Sequence, residues 1–279
     1  MSEMSLKTIA TLADYELRSS LRNRWFLLYA LAFALLAVAL SGLSLTGAGM
    51  FGFAGFGRTA ASLINLVLLI VPLMGLTIGA QSLAAEREKG TLAYLLAQPV
   101  SRAEVLWGKF VGLGMALLAA LMLGFGLSAA MIGRQGGMIE VRQYVALVGF
   151  SLLLALVTLS IGIFLSAWSR TSALAVGLAL FTWLALVFAG DLGLMGTAVA
   201  MKVKIQTLFT LALINPLQVF KIAAVNNLRA SLEILGPAGI YATRTYGDAL
   251  TLLLVGVLLV WALAALGAAY VRFRVEGDF

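Results

Sequence analysis

The 279-residue chain is 62% hydrophobic and only 11% charged, whereas soluble domains are about 45–50% apolar and about 25% charged. It contains 19 Lys and Arg against 12 Asp and Glu, and neither Cys nor His. That composition excludes disulfides, histidine general bases and Cys- or His-ligated metal sites. A mean hydropathy of +1.04 and several long apolar runs predict an all-α integral membrane protein with several spans.

The first predicted element, residues 4–22, is an amphipathic helix lying on the membrane surface. Its apolar face would hold Leu6, Ile9, Ala10, Ala13, Leu17 and Leu21, with Lys7, Thr11, Asp14 and Arg18 opposite. The alternative is an ordinary solvated lead-in to the first span. The apolar run over 25–45 is longer than the core of a signal peptide, so we expect a retained first span.

Five further apolar runs are long enough to cross a bilayer of about 30 Å at about 1.5 Å per residue. They cover residues 60–82, 106–132, 144–168, 173–196 and 248–271, which gives six predicted spans. Eleven of the 19 Lys and Arg fall in one set of loops, whereas the opposite short loops hold only Arg58, Arg134 and Arg142. The positive-inside rule therefore predicts cytoplasmic termini.

The long connection over 197–247 would then lie outside the cytoplasm. Its apolar stretch 205–225 is not expected to be a seventh span, because it is polar in places and a seventh crossing would invert the C-terminal arginines. Pro216 disfavours a helical residue before it. We therefore predict two short amphipathic helices, broken at Asn215-Pro216, at the outer membrane surface or half-entering it.

The loop between the second and third spans, residues 83–105, carries the most specific pattern in the chain. Its charges come first and then stop. Gly90 is predicted to end the preceding helix and Thr91 to N-cap a new one. Because Pro99 cannot continue a helix, the pattern predicts a short helix of about two turns.

Apolar residues of this short helix, Leu92, Leu95 and Leu96, share one face. Ser101 and Glu104 then form an S-x-x-E capping box directly before the third span. A short helix held parallel to the membrane, with one apolar face, suits a groove on a cytoplasmic protein. The chain has no P-loop of its own, because Gly108-Lys109-Phe110 lacks the upstream Gly and the following Ser or Thr.

This loop resembles the coupling-helix region of ABC-2 type transporter permeases. The matching pattern is Glu86-x-Glu88-x-Gly90-Thr91-Leu92-x-x-Leu95-Leu96-x-x-Pro99-Val100-Ser101-Arg102, followed by Gly108-Lys109-Phe110. The segment from Tyr15 to Trp25 is similar to the family's amphipathic start, and Leu213-Ile214-Asn215-Pro216 with Phe220 to its external Asn-Pro stretch. Within the family the chain is most similar to the NosY-type subfamily, which serves nitrous oxide reductase maturation.

The resemblance implies a permease subunit without enzyme activity in the bacterial inner membrane. It would form a homodimer with two copies of a NosF-type cytoplasmic ATPase, which binds the ATP and Mg, and with a NosD-type periplasmic partner. The cargo would be a sulfur species for a copper-sulfide cluster, or there would be only mechanical work on the partner. The implied ATPase-coupling residues are Glu86, Glu88, Gly90, Thr91, Leu92, Leu95, Leu96, Pro99 and Arg102.

On the outer side, possible partner contacts are Asp191, Asn215, Pro216 and Phe220. Asp191 is an acidic residue well within a predicted span, where a charge costs about 2.5–3.5 kcal/mol on insertion scales. It could pair with an arginine or a substrate cation, or simply reach interfacial water. The Met residues at 50, 131, 138, 195 and 201 are soft ligands for Cu(I), but methionines in spans usually fill gaps.

Three other functions remain open from the residues alone. A lipid or drug exporter of the same family would share the coupling pattern. An ion-driven secondary transporter would need buried charges near the bilayer midplane and an internal repeat, and neither is visible. An intramembrane enzyme would need a nucleophile or a metal set that this composition largely denies.

Overall fold

A computed structural model describes residues 5–46, 55–134, 141–200, 205–227, 236–247 and 249–275. For residues 44–46, 55–58, 191–200 and 236–240 it describes the backbone alone. Within these ranges the fold is entirely helical. The helices are α1 (Leu6–Arg22), α2 (Arg24–Thr46), α3 (Gly55–Glu88), α4 (Thr91–Leu96), α5 (Arg102–Arg134), α6 (Val141–Trp168), α7 (Ser172–Ala200), α8 (Ile205–Leu213), α9 (Pro216–Asn227), α10 (Gly236–Tyr246) and α11 (Ala249–Val275).

Six of these helices, α2, α3, α5, α6, α7 and α11, are long and apolar enough to cross a membrane. They confirm the six predicted spans. The helices extend beyond the predicted apolar runs because their polar ends continue as helix. The 34 residues of α3 make a helix of about 51 Å, which is longer than the roughly 30 Å of a bilayer core. The C-terminal end of α3 is therefore expected to extend beyond the hydrocarbon core of the bilayer, and α4 follows it.

The centre of the bundle is a close crossing of α3 and α6. A Cβ added at Gly79 would lie 2.5 Å from the Leu159 carbonyl oxygen, and one at Gly162 would lie 2.5 Å from the Leu76 carbonyl oxygen. Small residues let transmembrane backbones approach in this way. The Gly75-x-x-x-Gly79 pattern in the sequence indicated close packing in general, and the structure assigns it to α3 and α6.

The first helix packs along α5 at a second glycine pair. A Cβ at Gly108 would lie 2.5 Å from the Leu12 Cβ, and one at Gly112 would lie 2.5 Å from the Ala13 carbonyl oxygen. Ala13 is buried in this contact, whereas Leu6 at the start of α1 stays exposed. A helix therefore covers Leu6–Arg22, and its predicted amphipathic position on a membrane surface stays a prediction.

Between α7 and α11 the chain forms a bent pair, α8 and α9, whose axes meet at 111°. At the bend, the Leu213 carbonyl accepts a hydrogen bond from Trp261 Nε1 at 3.3 Å. Trp261 lies well inside α11. At the far end of α9, Asn227 Nδ2 donates to the Gln143 carbonyl at 3.0 Å, near the start of α6. The bend thus lies within the bundle and the far end of α9 lies at its rim.

Most side chains of α9 are buried, including Phe220 and Val219. The prediction of an amphipathic surface helix is therefore wrong for α9. Its polar residues are few enough to be satisfied by the neighbouring helices, so the whole helix packs against α6 and α11. The placement of the pair relative to the membrane, at the outer surface or half-entering it, stays a prediction.

Candidate functional site

The site begins where α3 ends and the chain turns into α4. Gly90 adopts φ +73°, a left-handed conformation that favours glycine, and it ends the preceding helix as predicted. Thr91 was expected to cap α4, but Gly90 occupies the N-cap position and makes no side-chain cap. The Thr91 hydroxyl instead donates back to the Glu86 carbonyl at 3.2 Å. α4 closes at Leu96, before Pro99 is reached.

The apolar face of α4 turns toward its own bundle. Leu92 is fully buried, and Leu95 and Leu96 are half-buried against the hydrophobic core. A short helix buries its apolar stripe wherever an apolar surface is nearest, and here that surface belongs to the same chain. The face left to solvent carries Ala93, Tyr94, Ala97, Gln98 and Pro99, and Tyr94 is 74% exposed.

Glu86 belongs to a partly buried three-residue ion cluster, which we call the ion triad: Glu16, Glu86 and Lys109. Lys109 Nζ lies 2.6 Å from Glu86 Oε1 and also binds Glu16 Oε1. The Lys109 side chain is only 3% exposed. The triad joins α1, α3 and α5, because each helix supplies one member.

Glu88, two residues further on, holds the start of α7. Its Oε2 accepts hydrogen bonds from the Ser172 backbone nitrogen at 2.9 Å and from the Ser172 hydroxyl at 2.5 Å. A carboxylate at a helix N-terminus is favoured by the unpaired N–H groups and by the helix dipole. Arg87 beside it donates to the Ser169 carbonyl at 2.5 Å, so the end of α3 is fastened to the junction of α6 and α7.

Arg102, at the start of α5, binds the C-terminal end of α11. Its Nη1 donates to the carbonyls of Phe273 at 2.9 Å and Arg274 at 2.8 Å. Carbonyls at a helix C-terminus have no partner within the helix, and a cation there also matches the dipole. Arg102 therefore joins α5 to α11.

The predicted capping box is confirmed and has an additional partner. Glu104 Oε2 accepts from the Ser101 backbone nitrogen at 2.7 Å, and the Glu104 nitrogen donates to the Ser101 hydroxyl at 3.2 Å. Glu104 Oε1 accepts from the Ser5 backbone nitrogen at 2.7 Å, just before α1 begins. One carboxylate thus orders the starts of two helices.

Four charged residues, Glu86, Glu88, Arg102 and Glu104, therefore connect the ends of α4 to other helices of the bundle; we call them the anchor residues. Sequence reasoning singled out all four, and Ser101 as a partner of Glu104, but not their distant partners, which lie 23 to 172 positions away along the chain. Two members of the ion triad, Glu16 and Lys109, were not singled out as site residues. The sequence signal that could have identified Lys109 as a site residue is a single lysine near the start of an apolar run.

The residues predicted on the outer side have structural roles at the bend between α8 and α9. Asn215 Nδ2 donates to the Leu186 carbonyl at 2.6 Å, and its Oδ1 accepts from the Leu217 nitrogen at 2.9 Å. Pro216 starts α9, and Phe220 is fully buried. The Asp191 side chain lies outside the described residues, so its predicted role is untested.

Of the methionines considered as copper ligands, Met131 alone has a described side chain. Its methyl group lies 3.4 Å from where a Gly42 Cβ would stand, which agrees with gap filling. The residues at 50, 138 and 201, and the side chain at 195, lie outside the described part. Within that part no three carboxylates are grouped so that they could hold a metal ion.

Six candidate spans, with a short helix between the second and the third, are typical of the membrane subunit of a transporter. Residues 10–277 match the family described as ABC-2 family transporter protein. The chain belongs to this family and is a multi-pass ABC transporter permease.

Two relatives carry the name probable ABC transporter permease protein NosY. The protein of Stutzerimonas stutzeri is 32% identical over 275 residues, which cover 96% of this chain and 99% of the relative. The protein of Pseudomonas aeruginosa is 32% identical over 275 residues, which cover 96% of this chain and 98% of the relative. The resemblance inferred from the coupling loop and the Asn-Pro stretch is thereby confirmed.

Proposed function

We propose that this permease transmits the motion of a separate ATPase, docked on α4, to the six membrane spans. The observation that carries the proposal is the set of anchor residues, which tie the two ends of α4 to α1, α5, α7 and α11. A displacement of α4 would strain these bonds together. Packed helices respond to such strain by shifting as units, since close-packed interiors are not continuously deformable.

The ATPase would dock on the solvent face of α4, around Tyr94. An exposed tyrosine on a bounded helix is a typical interface anchor, because it offers a large rigid surface with a polar tip. The charge asymmetry of the loops supports a cytoplasmic location for this end and for both termini. ATP and Mg would belong to the ATPase and not to this chain.

The likeness to NosY-named permeases supports a more specific assignment. The complex would hold two copies of this chain, two NosF-type ATPases and a NosD-type periplasmic protein. Its work would serve the copper-sulfide site of nitrous oxide reductase, either by moving a sulfur species or by acting mechanically on the outer partner. This assignment rests on 32% identity across nearly the whole chain.

The decisive variant is Tyr94→Asp. It should leave membrane insertion and folding intact, because Tyr94 is 74% exposed and lies outside the spans. ATPase binding should fall by roughly 30-fold or more, which corresponds to an interface hot spot of about 2 kcal/mol. The measurement is the amount of ATPase retained when the tagged permease is purified, together with reductase maturation in cells.

Tyr246→Asp is the matched control, since Tyr246 is an exposed tyrosine on α10, away from α4. Replacing Leu95 and Leu96 together by Asp should also lose the ATPase, but through unseating α4, because both leucines pack against the core. If Tyr94→Asp keeps its ATPase and full maturation, α4 is only a connector. If the ATPase stays and maturation fails, α4 transmits motion and adds little affinity.

A further inference from the structure

A cavity of about 550 Å³ opens beside the ion triad, between the corner of α1 and α2 and the ends of α3 and α4. Its volume is typical of ligand pockets, which measure roughly 300–1,000 Å³. Glu16, Glu86 and Lys109 form part of its wall, and Gln81 lies deeper along α3. The ATPase-docking proposal involves Tyr94, on the α4 side of this cavity, and assigns no ligand to its interior.

The part of the wall formed by the ion triad carries an unbalanced negative charge, which Lys89 at the exposed edge of the cavity offsets. In the ion triad two carboxylates share one ammonium group, and the Glu16 and Glu86 side chains are 12% and 24% exposed. Glu86 Oε1 binds Lys109, but Glu86 Oε2 is buried and has no hydrogen-bond partner in the described part of the chain. A buried carboxylate oxygen without a partner is costly. The complementary ligand group is a cation with N–H donors.

The rim of the cavity has the composition of a membrane interface. Tyr15 and Trp25 line it and are 65% and 67% exposed. Aromatic residues of this kind concentrate at the level of lipid headgroups. Lys89 also lines the cavity and is exposed, so it can meet a phosphate. The adjoining face of α2 exposes Leu28 and Leu31, which suits acyl chains.

We propose that this cavity binds the headgroup of a phospholipid that carries a primary ammonium, such as phosphatidylethanolamine. The ammonium donates a hydrogen bond to the Glu86 carboxylate, which turns Oε2 toward the cavity on binding, and neutralises the ion triad. The phosphate faces Lys89, and the acyl chains leave along α2. A bound lipid braces the gap between the α1–α2 corner and α3.

The test uses the permease purified with any ATPase that accompanies it, stripped of lipid by detergent exchange. Native mass spectrometry then counts the dioleoyl lipid retained as phosphatidylethanolamine or phosphatidylcholine is added. We expect a preference of roughly tenfold or more for the ethanolamine lipid, the effect of one hydrogen bond to a charged group. Choline carries a cation but no N–H donor, so it lacks this bond.

Two variants test the charge of Glu86 and the volume of the cavity separately. Glu86→Gln should abolish the preference, and Ala85→Leu should weaken retention of both lipids by filling the cavity without changing the ion triad. Asp14→Asn is the matched control, because Asp14 pairs with Arg18 on the exposed side of α1. If Glu86→Gln does not fold, Ala85→Leu alone decides.

The proposal is overturned if wild-type protein retains the two lipids equally, or retains neither, which would leave a water-filled cavity. It is also overturned if both variants keep the wild-type pattern. Free ethanolamine tests the source of the ammonium group. If ethanolamine alone raises the thermal unfolding midpoint as much as the lipid does, the site takes a soluble amine and the lipid assignment is wrong.

Discussion

Single glycines set the closest approach in this bundle. At Gly162 of α6, an added Cβ would lie 2.5 Å from the Leu76 carbonyl oxygen and 3.0 Å from the Gly79 Cα. These are backbone atoms of α3, which cannot rotate away as a side chain can. At Gly149 of the same helix, nothing lies within 4 Å of the added Cβ. The two positions form a natural matched pair.

Gly162→Ala should destabilise the protein by about 1–3 kcal/mol, the usual cost of overpacking. Gly149→Ala should be neutral or stabilising by up to about 1 kcal/mol, since alanine is the better helix former. Thermal unfolding of the detergent-solubilised variants, followed by circular dichroism, measures both. Equal unfolding midpoints for the two variants would mean that the crossing of α3 and α6 tolerates a methyl group.

Residue-level features were predictable where their cause is local. The capping box of Ser101 and Glu104 and the break at Gly90 depend on neighbours within three residues, and both were confirmed. The Thr91 cap failed because Gly90, in its left-handed conformation, occupies the cap position itself. The bond from Arg102 to the end of α11 could not be predicted, because sequence spacing carries no information about contacts that distant.

Among the helices, the pair α8 and α9 differs most from a simple span. The bend is held from both sides, by Trp261 of α11 and by Leu186 of α7, which binds Asn215. A Cβ at Gly190 would collide with Gln218 and Asn215, so this glycine makes room for the bend. These contacts agree with a pair that enters the bundle and returns, and that course relative to the membrane stays a prediction.

Cysteine labelling can test whether α8 and α9 return to the side of the membrane from which they enter. The chain offers a natural Cys-free background. Gln206→Cys on α8 and Thr245→Cys on α10 are both exposed positions. Both should react with a membrane-impermeant thiol reagent in intact spheroplasts, because the pair does not cross. Gln98→Cys, beside α4, should react only after the membrane is opened. Labelling of 206 and 245 from opposite sides would make α8 and α9 a seventh span.

The break in this pair was predictable and its burial was not. Pro216 restricts the residue before it, so α8 had to end near Asn215 whatever surrounds it. The mixed polar and apolar composition suggested a surface helix, but buried amides such as Gln218 are acceptable once they are satisfied by neighbours. The prediction for α4 was ambiguous in the same way, because an apolar stripe can pack against the core of its own chain or against a partner protein.

At the scale of the molecule, burial is unequal among the spans. Of the six, α3 is the most buried and α7 the least. Residues such as Phe181 and Phe188 on α7 are exposed in the single chain. The fold class and the number of spans were predictable because long apolar runs have few alternatives in a membrane. Which helices would be central was not, since all six are similarly apolar.

We expect two copies of this chain in the working complex. One chain offers one α4, and we propose that one α4 engages one ATPase, so a complex with two ATPases needs two copies of this chain. Native mass spectrometry of the solubilised complex should give a mass for two permeases and two ATPases. The Tyr94→Asp variant should lose the mass of both ATPases and remain a permease dimer. A wild-type complex with a single permease would contradict this expectation.

The contact between α1 and α5 has a consequence for biosynthesis. Ser5 and its partner Glu104 are 99 residues apart. At a ribosomal rate of about 5–20 residues per second, such a separation corresponds to roughly 5–20 s. During that interval α2 and α3 can already enter the membrane, while α1 has been made but lacks the helix that covers Ala13. α1 thus waits longer for its native neighbour than a helix that pairs with the next one along the chain, and until then its apolar stripe is open to chaperones and proteases.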